Sequence, residues 1–525
     1  LLSSPARTAF SNAGDDKHLF SKLSKGLPMN ITADTMSLMK DALSTARTDL
    51  QKAVTTSTGL QYYDLQAPAK NLYPTVTKLR NMTPRVGRPS GYGTAAHWKQ
   101  ITALVGSGYD AMGWIPEGQR SAAMSYTSSD KSAAYVTLGE EDYLTFEAES
   151  AGAGFEDIDA TVSLRLLQKT MRKEETGLLA GNATLALGAP AAPTLSAPAD
   201  PNSTLPAANY SVIVVALTAE GWLNCKGNAA AGFTPSKTIT GMDGQAYTLN
   251  GGNSNVSPNA TLAVAAGHGL AASVTPVPGA VAFAWFVGAA GAETLQAITT
   301  VNGVYVNAPL APGRQAASSV TSDNSTNPAL AFNGFLANAF QGGTVNVMPT
   351  GANGAGTPLT ASGRGSIVEI DTLLQGMWDN YRLGPTVIFV SSQEQKNITN
   401  KVLSNASGPL LRYDVAATPG EPYAITAGGQ IKYYYNPFDG DGQTIPIVPH
   451  PDLAPGTLFA YCERLPEWYQ SNEVPNVAEV ITRRDYYRID WPLRTRRREY
   501  GIYAEEVLAV YAQFAMGIIT NIGNG

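Results

Sequence analysis

The stretch REYGIYAEEVLAVYAQFAMGIITNI, residues 498–522, decides how this chain is read. It overlaps an arginine-rich run, RRDYYRIDWPLRTRRREY (483–500), and the whole of 484–520 reads as strands of a mixed sheet. Upstream, TIPIVPHPDLAPGTLFAYC (444–462) and IKYYYNP (431–437) read as further strands, and PTVIFVSS (385–392) as a buried one. IVEIDTLLQGMWDNY (367–381) and QEQKNITNKVL (393–403) read as helices. The C-terminal part is therefore α+β.

Before it the composition changes abruptly. Residues 183–330 hold eight charged side chains in 148 positions and are rich in Ala, Gly, Thr, Asn, Ser and Val. Short strand candidates recur at 209–218, 245–249, 280–288 and 303–307, separated by Gly/Pro/Asn turns. That is the pattern of a small β-sandwich. Pro/Ala-rich stretches at 189–201 and 308–319 flank it, so it reads as an insertion into a discontinuous host.

On the N-terminal side, FEDIDATVSLRLLQKTMRKEETGLLA (155–180) reads as one long helix. Its apolar stripe is Phe155, Ile158, Val162, Leu166, Leu167, Met171 and Leu178, with acids in the first turn and a stop at Gly181-Asn182. Ahead of it, 93–104 and 133–147 read as two long strands joined by a polar Gly/Ser-rich tip. Such a hairpin is hard to stabilise alone and should lie on a neighbouring subunit. Residues 59–88 read as irregular, 1–30 as an extended arm, and Met36 to Ala53 as a helix with one apolar face.

Composition bounds the function. The chain has 525 residues, 36 basic and 42 acidic, for a net charge of −6. Only 15% of residues are charged, against roughly 25% in an average soluble protein. Surface that is neutral, or covered by neighbours, suits a large assembly better than a free-standing nucleic-acid binder. Cys225 and Cys462 give neither a disulfide framework nor a metal spacing, and the four histidines are scattered. No apolar run is long enough for a membrane span, the start LLSSPARTAF lacks the apolar segment of a secretory signal, and the missing initiator Met points to processing or to residues ahead of Leu1.

Catalytic motifs are also missing. GANGAG (351–356) has glycines but no preceding strand and no Lys-Ser/Thr, so it reads as a loop. Glu140, Glu141 and Asp142 run along a strand, where neighbours point to opposite faces. His450, between prolines, reads as a surface loop residue. The expectation is a non-enzyme with no catalytic residue, cofactor or metal. The densest charge feature holds Arg483, Arg484, Arg488, Arg494, Arg496, Arg497 and Arg498 against Asp485, Asp490 and Glu499. It reads as an inter-subunit salt-bridge seam in preference to a surface facing nucleic acid, because acids and aromatics interleave with the arginines.

The order of parts resembles the major capsid protein of tailed double-stranded DNA phages, the Hong Kong 97-type fold. An N-terminal arm, a long hairpin, a spine helix and a mixed α+β domain follow one another as in that family. The 498–522 stretch is similar to its closing strands, 446–461 to the hairpin before them, and 387–398 to the strand-to-helix step of its axial domain. The resemblance implies an arm at 1–58 and, in 59–182, the start of the peripheral domain with the extended loop and spine helix. It places the axial domain and the return to the peripheral domain in 331–525. The insertion, 183–330, resembles an immunoglobulin-like or fibronectin type III domain through 205–221 and 280–300.

The resemblance further implies self-assembly as hexamers and pentamers into an icosahedral shell around double-stranded DNA, touched by non-specific contacts. Portal, scaffold and decoration proteins would be partners, with assembly in the host bacterial cytoplasm and a place in the virion, not in a membrane. An outward-projecting insertion would bind host-surface glycans or brace neighbouring capsomers. Some members crosslink a Lys to an Asn with help from a carboxylate, which here would involve Lys131, Asn476 and Glu479. The alternatives are an encapsulin-like compartment with protein cargo and, in another class, a surface adhesin binding glycans through the insertion.

Overall fold

A computed structural model describes residues 77–88, 93–103, 114–120, 127–152, 157–363, 365–404, 412–413, 425–426, 430–438, 443–465 and 475–525. The expected arm and its helix, Phe155, and residues 104–113 of the hairpin loop lie outside the described residues.

Helix α1 (Lys78–Met82) and strand β1 (Arg85–Gly87) precede an antiparallel pair, β2 (Ala95–Ala103) and β3 (Thr127–Ala134). One residue later comes β4 (Val136–Thr145). This corrects the expected hairpin. The strand opposite β2 is TSSDKSAA, and the 133–147 stretch mostly supplies β4, which pairs with the C-terminal strand at 497–506. Most β3 side chains are exposed, so the strand carries no apolar alternation and reads as loop.

After a short helix, α2 (Phe146–Gly152), comes the long α3 (Ile158–Ala180). Asp157 caps α3 by accepting from the Ala160 N–H at 3.2 Å. Its 23 residues span about 35 Å at 1.5 Å each. Leu166, Leu167 and Met171 bury against Leu144, Tyr500, Ile502 and Ala504. The helix does end at Gly181, but in an extended conformation (φ −53°, ψ 138°). Glycine is needed there for close approach: a Cβ would sit 2.6 Å from the Gly177 carbonyl oxygen and 2.7 Å from that of Phe332.

The chain leaves this point and returns to it. Gly334 N–H donates to the Gly181 carbonyl at 2.8 Å, and Asn327 N–H to that of Asn182 at 2.9 Å. Between them lie β5 (Thr194–Ser196), β6 (Ala208–Leu217), α4 (Ala219–Cys225), β7 (Ser236–Thr240), β8 (Ala246–Asn250), β9 (Ala260–Val264), β10 (Leu270–Ser273), β11 (Ala282–Gly288), β12 (Thr294–Thr299) and β13 (Gly303–Val306). They form sheets in the order β13-β10-β5 and β12-β11-β6-β9, plus the β7–β8 hairpin, all antiparallel. The two sheets share a core built on Val212, Val214, Phe283, Trp285 and Leu270. The other face of the larger sheet (Val215, Leu217, Ala284, Phe286) is covered as well, by Trp222 and Phe233 among others. With both faces covered, β11 reads as an unbroken apolar run. The sequence misses β5, set within an expected linker, and α4, which starts on a Thr218 cap to the Gly221 N–H at 3.2 Å.

The last third holds α5 (Phe335–Gly342), β14 (Thr344–Val347), α6 (Val368–Tyr381), β15 (Val387–Val390), α7 (Ser392–Ser404), β16 (Tyr433–Tyr435), β17 (Thr444–Pro449), β18 (Leu458–Tyr461), β19 (Ala478–Asp490), β20 (Arg497–Val510) and β21 (Met516–Thr520). A six-stranded mixed sheet runs β14-β21-β18-β15-β17-β16, and a four-stranded one β1-β19-β20-β4. Ile388 and Val390 face Ile370, Leu373 and Met377 of α6, while Phe389 joins Phe459, Tyr461 and Phe335 on the other face. Helix α3 packs on β4 and β20 of the four-stranded sheet. The molecule is thus mixed α+β, with the chain's end passing from one sheet to the other.

Candidate functional site

The arginines sit on β19, β20 and the turn between them. In a regular strand Arg483 and Arg484 would point to opposite faces. The β19–β20 register shifts between Thr482 and Arg484 and again between Arg484 and Tyr487, and both arginines are exposed. Successive bulges turn them to one surface.

Most of the arginines find acids in their own chain. Arg483 Nε meets Glu505 at 2.5 Å, Arg488 meets Asp490 at 2.8 Å and Asp159 at 3.5 Å, and Arg496 meets Glu147 at 2.7 Å. Arg497 meets Glu499 at 2.6 Å and Arg498 meets Glu149 at 3.3 Å. Among the described residues Arg484 and Arg494 have no carboxylate at ion-pair distance. Arg484 instead lies over the Tyr487 ring at 5.1 Å, and Arg488 over that of Tyr500 at 4.5 Å. The acids that a seam would draw from a neighbour are therefore largely internal.

Beneath this surface is an ionic cluster that sequence reasoning missed. Glu174 of α3 accepts from Arg80 Nε at 2.6 Å, from Arg85 and from the Tyr486 hydroxyl. Arg85 also reaches Asp485 and Glu506, each at 2.9 Å. Glu175 accepts from the N–H groups of Leu79 and Arg80 at 2.9 and 2.6 Å, capping α1. All these side chains are buried. Burial opposes the Arg85 charge, but Glu174, Glu506 and Asp485 outweigh it and hold its pKa above the usual value. Burial, then the nearby Glu174, pushes Glu506 up to about 8. The only signal in the sequence is Glu174-Glu175 on a helix face shared with Met171 and Leu178.

His450 belongs to the same cluster, which corrects the surface-loop reading. It is buried, with Nε2 2.7 Å from Glu175 Oε1, while Nδ1 accepts from the Asp452 N–H at 3.2 Å. That acceptor role leaves the proton on Nε2, donating to Glu175. The prolines around it shape a buried turn, not an exposed one.

Of the three residues considered for a crosslink, two come together. Asn476 Nδ2 donates to Glu479 Oε1 at 2.8 Å, and Tyr511 donates to Oε2 at 3.1 Å. Lys131 stands exposed on β3, opposite Trp98 of β2. Along β4, Glu140 pairs with Lys169 at 3.3 Å and with Lys173, while Glu141 accepts from Trp491 at 3.1 Å and from Tyr503. Cys225 and Cys462 are buried free thiols, and burial pushes Cys462 up to about 12. The GANGAG loop packs closely: a Cβ at Gly303 would meet Gly354 Cα at 2.6 Å. Among the described residues, no group of three or more His, Cys, Asp or Glu side chains is placed to hold a metal, and no helix is long and apolar enough to cross a membrane.

No protein-family model matches the chain, and no curated protein matches it. Solved structures that it resembles include the holo-SrpI encapsulin complex from Synechococcus elongatus, at 10% identity and TM-score 0.34, covering 91% of this chain and 95% of that one. The capsid of the native GTA particle gives 10% identity and TM-score 0.39, with 89% and 96% covered. The capsid of Myoviridae phage XM1 gives 8% and 0.35, with 90% and 98% covered. Each is a likeness to this chain.

Proposed function

We propose that this chain is a structural shell protein of the Hong Kong 97 type, the major capsid protein of a tailed double-stranded DNA phage. The observation that carries the reading is the β2–β3 ribbon together with the loop segment 114–120. Trp114 in that loop is 92% exposed and Ile115 49%. A two-stranded ribbon whose connecting segment carries a bare tryptophan needs a neighbour to cover it. The order of ribbon, spine helix on a four-stranded sheet, and mixed six-stranded sheet supports the same reading.

In this proposal 1–58 is an arm, 59–182 and the chain's end form the peripheral domain, and 331–525 carries the axial domain. Residues 183–330 are an inserted immunoglobulin-like sandwich, supported by the two sheets sharing the Trp285 core. Hexamers and pentamers would close an icosahedral shell in the host cytoplasm, with portal, scaffold and decoration proteins as partners. Interfaces of the obligate kind bury above about 2,000 Å² in total.

Expression of the full chain followed by size-exclusion chromatography and negative-stain electron microscopy tests this. Closed shells or capsomer-sized rings are expected. A monomer that stays a monomer after scaffold or native lysate is added would overturn the shell reading. Nuclease-protected DNA inside shells is expected for a capsid. Shells that hold only a protein cargo would make the chain an encapsulin-like compartment instead.

A further inference from the structure

Strand β1 ends at Gly87, opposite Thr482, while β19 runs on to Asp490. Beyond Thr482, β19 has no strand on that side among the described residues. The space is an open cleft of about 610 Å³ lined by Gly87, Arg88 and residues 482–489. Four exposed arginines reach it: Arg88, Arg483, Arg484 and Arg488.

We propose that this cleft binds the phosphodiester backbone of nucleic acid without reading its sequence. The single acid in its lining, Asp485, is turned inward onto Arg85, with a side chain 4% exposed. The charge it would set against a ligand is therefore spent in the core. Arg483 and Arg488 pair with acids at the rim, Glu505, Asp490 and Asp159. Arg88 and Arg484 have no carboxylate at ion-pair distance among the described residues, and the Tyr487 ring holds Arg484 in place. Tyr487 is itself fixed by donating to Glu505 at 3.0 Å.

Guanidinium forks match phosphate oxygens, and a fork already stacked on a ring loses less freedom on binding. The cleft lies along a strand edge and is open, which suits a linear polyanion better than a small enclosed ion. Contacts from its arginine forks to phosphate oxygens carry no sequence information. The chain's net charge of −6 gives no general attraction to nucleic acid, so binding must come from a local site. The inference deepens the shell reading by naming a site that would touch the enclosed nucleic acid, and it rests on that reading only for the ligand's origin.

The test uses the full chain, as subunits or capsomers from size exclusion, and fluorescence anisotropy with a labelled duplex DNA of about two helical turns. Affinity should fall with salt at a log–log slope of about −0.9 per phosphate contact. The double variant Arg88→Gln/Arg484→Gln should weaken binding at least tenfold and flatten the slope by about two contacts. Arg496→Gln, outside the cleft, should leave both unchanged. Where all protein is in closed shells, the same variants are compared by nuclease-protected nucleic acid per subunit, and the double variant should hold less.

Equal binding by wild type and double variant, or no binding by the wild type at low salt, would overturn the inference. So would displacement by millimolar inorganic phosphate beyond a chloride control, which marks a small-anion site, or by an acidic peptide of equal charge, which marks a protein partner. Electron microscopy of the same samples keeps the two readings apart. Shells without binding overturn only this inference, and binding without shells overturns only the shell reading.

Discussion

Glu174 shows how much a single side chain can join. It accepts from Arg80, Arg85 and Tyr486, so α1, β1, α3 and β19 meet at one carboxylate. Removing one partner of a buried ion cluster leaves uncompensated charge, typically at a cost of 3–5 kcal/mol. Glu174→Ala should therefore lower stability by about that much, measured by denaturant unfolding, whereas a loss under about 1 kcal/mol would mean the cluster is hydrated. Glu506 gives a pH dependence. With its carboxyl pushed up to about 8 by burial, the folded chain holds a proton that the unfolded chain has already lost above the ordinary carboxylate range. Folded protein then binds more protons than unfolded protein, so the contribution of Glu506 to stability is fully present below the ordinary carboxylate range and is lost as pH rises from there through about 8. Glu220, pushed up to about 7 by burial, adds a slope of the same sign. The comparison that isolates Glu506 is thermal midpoint against pH from about 6 to 9 for wild type and Glu506→Gln. The variant should lose part of the alkaline fall, and parallel curves would refute this. Beyond the Glu174-Glu175 pair on an apolar helix face, none of this was legible in the sequence, because Glu174 finds its arginines about 90 residues away and its tyrosine about 310 away.

At the scale of elements, legibility followed local pattern. α3, α6, β15 and β20 were all found because one or both faces are apolar and periodicity reports it. β3 was missed because its faces are mostly open, and the outward turn of both Arg483 and Arg484 because bulges break the period of two. The point where 183–330 leaves and rejoins the chain was legible only as a composition change. Its physical basis is a backbone crossing between Gly181 and Gly334. A Cβ at Gly334 would lie 2.5 Å from the Leu178 carbonyl oxygen and 3.0 Å from those of Gly177 and the Gly181 amide nitrogen, all backbone atoms that cannot swing aside. Gly334→Ala should therefore destabilise by about 1–3 kcal/mol. Gly177, inside α3 with open space around its missing Cβ, is the counterpart. Gly177→Ala should stabilise by up to about 1 kcal/mol through helix propensity. Thermal midpoints of the two variants should move in opposite directions. A shift of the same sign would show that the crossing is looser than its backbone distances imply.

At the scale of the molecule, the ribbon poses a different problem from the rest. Its base is tied to the body, with Trp98 Nε1 donating to the Val510 carbonyl at 3.0 Å and Ile101 N–H to that of Tyr511 at 2.8 Å. Its loop segment is not: Trp114 is 92% exposed beside a half-exposed Ile115. A side chain that touches almost nothing in its own subunit contributes almost nothing to that subunit's stability. Trp114→Ala should leave the unfolding midpoint of the isolated chain unchanged, within about 0.5 kcal/mol. If neighbours cover the loop, the same change removes a large aromatic anchor at every contact, worth about 2 kcal/mol or more. That is a factor of about 30 in each association step. The concentration at which particles appear in sedimentation velocity should rise at least that far, while the subunit melts as before. Assembly of the Trp114→Ala variant at the wild-type concentration would place the contacts elsewhere. A lowered subunit midpoint would mean that Trp114 packs within its own chain. The separation of the two readouts follows from the geometry: what one subunit leaves uncovered can matter only to the next.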